Sequence, residues 1–495
     1  MDTKRDEQGP GPGATVRGTS RLWAAAAAVA ALGTWVMFDA RPGVNWLLWT
    51  GAAAAGLVAL LHPQRTDTKL LLLVGAAATL IAGAATVTAS EVLHVVICAA
   101  VILLLAVQML LAVDPSPRRI TARFTLTAPV LALWTAVKQA LHRTAEATGQ
   151  IRSTRARAWV RGLALTLPVL ILFALLLAEA DPSFAWWRDS VESLFAHWAF
   201  LPRLVFFTGL LGLVVGAYGY GLTESTNAPP LKERATVRWL GSTERVMLLA
   251  AVTALLWFFL ALQLGYLFGT LPRASHSGMT FAEYARRGFS ELTIVASASA
   301  VLILLSEQYG QRERHERLAR ILAFALVGAV LLVLGSAFHR VLLYEAAYGF
   351  TTARLYAQAY MTVVAAALVL LALEVAGALD TGRLFRRTAA VATILFVALL
   401  YWNHEAWIAR RNIDRLVSTG RLDVAFLSGE LSLDALPTIL NKLPSLPEPV
   451  RSDLRAALQK RWARHPEMAA GPWYEWNVSR ARARAAYQAM ATVAP

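Results

Sequence analysis

The sequence predicts an all-α membrane protein: a polytopic bundle of about eleven transmembrane helices with a small C-terminal helical region outside the membrane. Hydrophobic residues make up 57% of the 495 positions, charged residues only 16%, and the mean hydropathy is +0.50. A soluble chain of this length needs more charge to cover its surface. The charges also lie in short blocks between apolar runs of roughly 15–23 residues, the length that a helix needs to cross a bilayer.

The apolar runs define the expected spans. They lie at residues 22–38, 44–61, 70–87, 92–113, 162–180, 198–221, 246–268, 289–305, 321–338, 360–376 and 388–402. We therefore expect four spans within residues 21–113 and seven within 162–403. The sixth run contains Gly212-x-x-x-Gly216, a spacing of small residues that lets two helices approach closely. Residues 1–20 are polar and rich in Pro and Gly, and we expect a disordered cytoplasmic leader.

The positions of Lys and Arg predict the orientation. Before residue 404, most of them lie in alternate inter-span segments, and these segments are cytoplasmic if the N-terminus is cytoplasmic. An odd number of spans then places residues 404–495 on the extracytoplasmic side of the cytoplasmic (inner) membrane. The net charge of +15 is explained by these orientation signals and by anionic lipid, so we expect the bilayer and no nucleic acid as a partner.

The segment 114–161 is basic and predicts an amphipathic helix on the inner leaflet. Apolar residues recur there at helical spacing, at Val130, Leu133, Trp134, Val137 and Leu141. The basic residues expected to contact anionic lipid are Arg118, Arg119, Arg123, Lys138 and Arg143. The alternative is a helix that faces the core of the bundle.

The C-terminal region, 404–495, predicts four short helices, at about 404–417, 433–443, 450–463 and 473–489. Leu436, Ile439 and Leu440 are the expected buried stripe of the second helix. Helices of this size suit a module that binds a protein or an envelope partner. The triplet Asn477-Val-Ser479 fits a glycosylation sequon.

Motifs for soluble-type catalysis are missing from the sequence. There is no Gly-rich phosphate loop ending in Lys-Ser/Thr, no paired-histidine zinc helix and no Gly-x-Ser-x-Gly elbow. The single cysteine, Cys98, lies within an apolar run and excludes a disulfide framework and a cysteine-based metal site. We expect no cofactor, no metal and no catalytic residue of these classes.

Ionisable and tyrosine side chains gather at the expected outer edge of the membrane, where charge is costly unless it is sheltered by partners. The stretch 339–360 is the richest part of this outer polar cluster, and Gly349 offers a break within it. The cluster comprises Glu179, Asp181, Tyr284, Arg286, Arg287, Glu291, Arg340, Tyr344, Glu345, Tyr348, Arg354 and Tyr356.

Two interpretations of this cluster are open. In the structural one, Arg340 pairs with Glu345 or Glu179 and Arg354 pairs with Asp181, so that the pairs fix the loops. In the other, the guanidinium groups bind an anionic group such as a phosphate or a carboxylate, as in lipid-linked precursors. Asp181 or Glu345 would then act as a general base or a metal ligand.

Six motifs, in this order along the chain, carry a resemblance to a known family. They are Ala-Asp181-Pro-Ser-Phe184, Tyr284-Ala-Arg286-Arg287-Gly288-Phe289, Tyr348-Gly349-Phe350-Thr-x-x-Arg354-Leu-Tyr356, Ile408-Ala-Arg410-Arg-Asn412, Leu431-Ser-Leu-Asp434-Ala-Leu-Pro437 and Trp476-Asn477-x-Ser479-Arg480. From about residue 90 to the C-terminal region, the chain resembles bacterial multi-pass membrane proteins classified as a domain of unknown function, type 4173, related to type 4153. The resemblance implies an integral membrane protein and no particular activity.

Two functions agree with these observations. The first is a membrane scaffold, sensor or envelope assembly factor whose C-terminal region binds a partner, since catalytic motifs are missing. The second is a transporter or membrane-embedded transferase acting on an anionic or lipid-linked envelope substrate, since acidic residues and arginines are expected on one face.

Overall fold

The computed structural model describes residues 12–61, 68–148, 200–222, 240–267, 289–310, 315–377, 379–463, 465 and 469–492. Within these ranges the secondary structure consists of sixteen α-helices and short 3₁₀ turns. The described residues contain no β-strand, and the bridge between Leu240 and Gly310 is an isolated one. The all-α class is confirmed.

The first eleven helices in the described residues are long and apolar enough to cross a membrane, α3 together with the 3₁₀ turn 84–86 that follows it. They are α1 Pro12–Met37, α2 Val44–Leu61, α3 Lys69–Gly83, α4 Glu91–Leu111, α5 Ala122–Thr148, α6 Leu201–Gly221, α7 Ser242–Leu267, α8 Phe289–Tyr309, α9 Glu316–Tyr348, α10 Thr352–Ala376 and α11 Thr381–Tyr401. Ten of them correspond to predicted spans. The predicted span 162–180 lies outside the described residues, and α5, expected on the membrane surface, is the eleventh by length and composition. The polytopic helical bundle is confirmed.

The polar stretch after residue 338 continues α9 rather than ending it, so that this helix is longer than the predicted span. It ends where Gly349 adopts a positive φ of 86°, a conformation that glycine reaches without steric strain. Thr351 then starts α10, where its side chain accepts a hydrogen bond from the backbone of Arg354. The predicted break at Gly349 is confirmed.

The bundle has two main apolar cores. One lies among α1 to α6 and includes Leu22, Leu61 and Val215. The other lies among α7 to α10 and includes Leu249 and Ile303. A smaller cluster joins the two, where α11 packs against α3 and α4.

The helix ends define two opposite faces of the bundle. A side chain at Gly221 would touch Leu61 and Ala112, so α2, α4 and α6 have ends at one face, which also contains Leu22 near the start of α1. We call it the N face. At the opposite C face, the Phe38 ring near the end of α1 lies 5.6 Å from the Phe206 ring near the start of α6.

Helix α5 packs along the N-face half of the bundle. Ala128, Ala132 and Ala136 form its buried stripe. Ala136 lies against Gly216, whereas nothing lies within 4 Å of a Cβ at Gly212, so only one of the two predicted glycines receives a neighbour. Further along α5, Arg143 contacts Gly219 near the N-face end of α6. The part of α5 up to Arg143 therefore lies in the N-face half of the bundle.

Four of the five residues expected to form the apolar stripe of α5 point away from the bundle, and the fifth, Leu141, is half-buried. Val130, Leu133, Trp134 and Val137 are all exposed, because the alanines occupy the contact with α6. Small residues suit this contact because they let the two backbones approach. The larger apolar side chains are thereby left on the surface that faces away from the protein.

The described residues of the C-terminal unit, 404–463, 465 and 469–492, contain five helices and the 3₁₀ turns 443–445 and 473–475. The helices are α12 His404–Thr419, α13 Val424–Gly429, α14 Leu436–Lys442, α15 Val450–Trp462 and α16 Val478–Thr492. The prediction of four helices missed α13, a helix of only six residues. Leu436, Ile439 and Leu440 are buried in the core of the unit, as predicted.

Candidate functional site

Polar side chains are buried or half-buried where the C-terminal unit covers the C face of the bundle. They come from the α3–α4 connection, from α10 and from the C-terminal unit itself. We call this set the C-face interface; its residues are Thr88, Tyr356, His404, Glu405, Asp434, Glu475, Asn477, Ser479 and Arg480.

Asp434 is a buried carboxylate of the interface, with only 5% of its surface exposed. Its Oδ1 accepts a hydrogen bond from the backbone N–H of Ala89 at 2.6 Å, and its Oδ2 accepts one from Thr88 Oγ1 at 2.5 Å. Burial, together with the neighbouring Glu405, raises the pKa of Asp434 to about 6. This carboxylate therefore gains or loses its proton at about pH 6.

His404 connects the C-terminal unit to α10. Its Nε2 lies 3.0 Å from Tyr356 Oη, and its Nδ1 lies 3.1 Å from the carbonyl oxygen of Trp402. Because a carbonyl only accepts, Nδ1 carries the proton, and Nε2 accepts the hydrogen bond that the Tyr356 hydroxyl donates. Burial lowers the pKa of His404, which keeps the ring neutral.

Glu405, the next residue, makes its hydrogen bond within the C-terminal unit. Its Oε2 accepts a hydrogen bond from the backbone N–H of Ser432 at 2.6 Å. Asn403, just before α12, accepts from Ala406 as the helix cap and donates to the carbonyl of Asp434 at 3.0 Å. The start of α12 thus holds the loop that precedes α14.

Asn477 and Arg480 hold the start of α16 on two connections of the bundle. The Asn477 amide donates to the carbonyl oxygens of Ala85 and Thr88, both at 2.7 Å. Arg480 donates to the carbonyl oxygen of Pro42 at 2.5 Å. Asn477 is 0% exposed, so the predicted sequon lies within the interface and is inaccessible to an oligosaccharide in the folded protein.

The described part of the predicted outer polar cluster surrounds the turn at Gly349. The Arg354 guanidinium lies 4.2 Å from the centre of the Tyr344 ring and donates to the carbonyl oxygen of Gly349. The Tyr344 and Tyr348 rings are 4.8 Å apart. Glu345 is buried and accepts a hydrogen bond from Gln358 at 2.9 Å.

Helix α12 closes this turn from outside. Asn412 accepts from the backbone N–H of Phe350 at 2.7 Å and donates to its carbonyl oxygen at 2.8 Å. Arg415 donates to the carbonyl oxygens of Ala346 and Ala347 at the C-terminal end of α9. A cation at this position stabilises the negative end of the helix dipole. The turn therefore belongs to the same contact surface as Asp434.

Most of the remaining members of the predicted cluster lie outside the described residues. Glu179, Asp181, Tyr284, Arg286 and Arg287 lie outside the described residues, so the expected pairs with Glu179 and Asp181 stay predictions. Glu291 lies in the first turn of α8, and its side chain falls outside the described part of the chain. Arg340 is partly buried in α9, and Tyr356 bonds to His404 as described above.

One of the five residues expected to contact lipid is placed otherwise. Arg119 is only 6% exposed and pairs with Asp114 at 2.9 Å, because it belongs to a 3₁₀ turn that packs against the bundle. Arg118, Arg123 and Lys138 are exposed, and Arg143 is partly covered by α6.

Among the described residues, no three His, Cys, Asp or Glu side chains form a group able to hold a metal ion. The sequence marks Asp434 only as part of a family motif and Asn477 as part of a sequon, and neither pattern predicts a contact. Both residues belong to motifs that carry the family resemblance, and this was the sequence signal that could have pointed to them.

The fold and this interface define an integral, multi-pass helical membrane protein, which is in contact with the lipid bilayer, with a C-terminal unit packed on one face of its bundle. The chain belongs to the family described as a domain of unknown function, DUF4153, whose family model matches residues 25–442. The match confirms the resemblance and gives type 4153, the type named as related. It also begins at residue 25, so the first three spans belong to the family match, contrary to expectation. Comparisons with curated proteins and with solved structures found no match.

Proposed function

We propose that this protein is a membrane scaffold or envelope assembly factor whose bundle presents the C-terminal unit as a rigid platform. The observation that carries the proposal is the attachment of the unit to three separate connections of the bundle. Arg480 bonds to Pro42, Asp434 to Ala89 and Asn412 to Phe350. Polar contacts in a buried interface require one fixed geometry, which a platform needs and a flexible tail does not.

The use of the polar groups favours a structural role over a substrate site. Asp434 and Glu405 each accept backbone N–H groups of the protein itself. Arg354 is engaged by Tyr344 and by the carbonyl oxygen of Gly349. A transporter or transferase would use Asp181, Arg286, Arg287, Arg340, Glu345 and Arg354. Of these, Glu345 and Arg354 make hydrogen bonds within the protein itself.

We infer that the N face is cytoplasmic and that the C-terminal unit is extracytoplasmic, in the cytoplasmic membrane. Exposed or partly exposed basic residues of the bundle gather at the N face, where they include Arg118, Lys138 and Arg320. Basic residues near span ends favour the cytoplasmic side. Arg143 lies at the N face and α6 starts at the C face, which agrees with the predicted span 162–180 and with the odd total of eleven spans.

The partner surface proposed is the side of the C-terminal unit that faces away from the bundle. Helix α15 lies there, because it packs on α13 and on the 3₁₀ turn 443–445. Ala456, Gln459 and Lys460 are exposed on α15. A protein or an envelope polymer could contact these residues without disturbing the C-face interface.

Complementation of a deletion strain tests the proposal. The double variant Gln459→Glu/Lys460→Glu changes only exposed side chains, so we expect a normal protein level and an unchanged thermal midpoint but loss of complementation. Arg421→Glu, a charge reversal at another exposed position of the C-terminal unit outside α15, is the control and should complement. Full complementation by the α15 variant would count against the platform.

A second variant separates the platform from a substrate site. Arg354→Glu places a second negative charge beside buried Glu345, so a structural role predicts a reduced protein level. A normal level of folded Arg354→Glu protein together with loss of complementation would favour the anion-binding function instead.

A further inference from the structure

A short turn of the C-terminal unit lies against the connection between α1 and α2. This 3₁₀ turn, Trp473–Glu475, is fixed by an ion pair of 2.7 Å between Glu475 and Arg41 and by the hydrogen bond from Val44 N–H to the carbonyl oxygen of Trp476 at 3.1 Å. The turn therefore has a defined position relative to the end of a membrane-spanning helix.

Three tryptophan rings are exposed at this place. The exposed fraction is 62% for Trp35 in the last turn of α1, 59% for Trp473 and 50% for Trp476. The Trp35 ring centre lies 6.1 Å from that of Trp473 and 6.4 Å from that of Tyr474, both in edge-on contact. The aromatic patch is thus shared between a transmembrane helix and the C-terminal unit.

The position of Trp35 assigns a depth to the patch. Trp35 stands at the C-face end of a span, where a bilayer changes from hydrocarbon to headgroups. Tryptophan prefers this boundary because its large apolar ring enters the acyl region while its N–H remains hydrated. Because Trp473 contacts Trp35 directly, both rings lie at the same boundary.

We propose that the turn 473–476 is a second membrane contact of this protein, inserted into the headgroup boundary of the leaflet at the C face. The occupant of the exposed aromatic patch is lipid, since the patch continues the lipid-facing surface of α1. The C-terminal unit is then held by the bilayer as well as by the C-face interface. This inference is independent of the proposed scaffold function and of which side of the membrane the C face occupies.

Spin-label depth measurements on the full chain in phosphatidylcholine–phosphatidylglycerol nanodiscs test the proposal. Nitroxides are attached at Trp473→Cys or Trp476→Cys in a Cys98→Ser background. The control is Ala456→Cys on α15, an exposed position on the side facing away from the bundle. We expect the ratio of accessibility to oxygen over accessibility to a water-soluble nickel chelate to be several-fold higher at 473 and 476 than at 456.

Two outcomes would overturn the proposal. A ratio at 473 and 476 equal to that at 456 places the turn in water, and inaccessibility to both reagents places it against protein. Each labelled variant must keep the thermal midpoint of the Cys98→Ser parent. If Trp473→Cys fails this check, Trp476→Cys decides the question, because the two rings are replaced independently.

Discussion

Asp434 and Ala89 are 345 positions apart in sequence, yet the carboxylate of one accepts the backbone N–H of the other at 2.6 Å. The bond joins the loop before α14 to the connection between α3 and α4. Thr88 donates to the same carboxylate, so one side chain of the C-terminal unit accepts hydrogen bonds from two donors just before α4. A single residue thereby couples the folding of the unit to that of the first transmembrane core.

Asp434→Ala is expected to lower the free energy of unfolding by about 2–5 kcal/mol, because it leaves Thr88 Oγ1 and Ala89 N–H buried without an acceptor. The thermal midpoint in nanodiscs measures the effect. Glu430→Ala, an exposed position of the same unit, is the control and should change the midpoint little. Equal midpoints for the two variants would show that Asp434 does not hold the interface.

The raised pKa of Asp434 predicts a pH dependence of stability. The folded-state pKa is about 6, above the unfolded value of 3.8. The folded protein therefore retains a proton that the unfolded chain loses, so this group stabilises most below about pH 4 and its contribution falls as pH rises to 6, by up to about 3 kcal/mol. Burial lowers the pKa of His404, which acts in the opposite direction as the pH falls below 6.5.

Asp434→Asn removes this contribution. The loss of the Asp434 charge also lowers the pKa of His404 further, which changes the difference between the two proteins in the same direction. The stability of Asp434→Asn relative to wild type should rise between pH 4 and pH 6 and then level off. A difference that stays constant over this range would mean that Asp434 keeps an ordinary pKa in the folded protein.

Gly349→Ala is expected to destabilise the turn between α9 and α10. The residue has a φ of 86°, and its new Cβ would lie 2.6 Å from Asn412 Oδ1. Gly420→Ala is a control for positive φ without a steric contact: Gly420 has a φ of 64° and a ψ of 9°, and no atom lies within 4 Å of a Cβ. Gly349 has a ψ of 177°, a conformation nearly confined to glycine, so its backbone cost is also larger. Only the backbone term, about 1 kcal/mol, applies to Gly420. A loss of thermal midpoint at Gly349 no larger than at Gly420 would exclude the contact with Asn412.

The spans could be predicted because their apolar length is fixed by the bilayer, and the break at Gly349 could be predicted from glycine's freedom. The sequence does not predict which side of α5 is buried. Lipid tails are as apolar as a protein core, so hydrophobicity does not show whether Val130 or Ala132 contacts α6. The partners of Asp434 and Asn477 were also out of reach, because they are set by how distant connections assemble at the C face.

Gly216→Ala tests the packing of α5 on α6. A Cβ at Gly216 would overlap the backbone of Ala136, so the two helices must separate and the thermal midpoint should fall. Gly212→Ala lies one helical turn earlier with nothing within 4 Å, and its better helix propensity should leave the midpoint unchanged or slightly higher. If the two substitutions behave alike, α5 does not contact α6 through Gly216.

Cysteine labelling in whole cells tests whether α5 and the C-terminal unit lie on opposite sides of the membrane. In a Cys98→Ser background, Ala456→Cys reports on α15 and Lys138→Cys on α5, both at exposed positions. A membrane-impermeant maleimide should label position 456 in intact cells and position 138 only after permeabilisation. The reason is that Arg143 keeps α5 at the N face, whereas Asn477 and Arg480 keep the C-terminal unit at the C face.

The labelling pattern tests two points separately: the orientation of the protein in the membrane, and the placement of α5 and the C-terminal unit at opposite faces. Labelling of 138 alone in intact cells would reverse the orientation inferred from the basic residues but keep the two faces apart. Labelling of both positions from the same side would contradict the packing itself, since Ala456 and Lys138 could not then belong to opposite ends of one bundle. An Arg41→Cys label, placed at the α1–α2 connection on the C face, should follow position 456 in either orientation, because Arg41 pairs with Glu475 of the C-terminal unit.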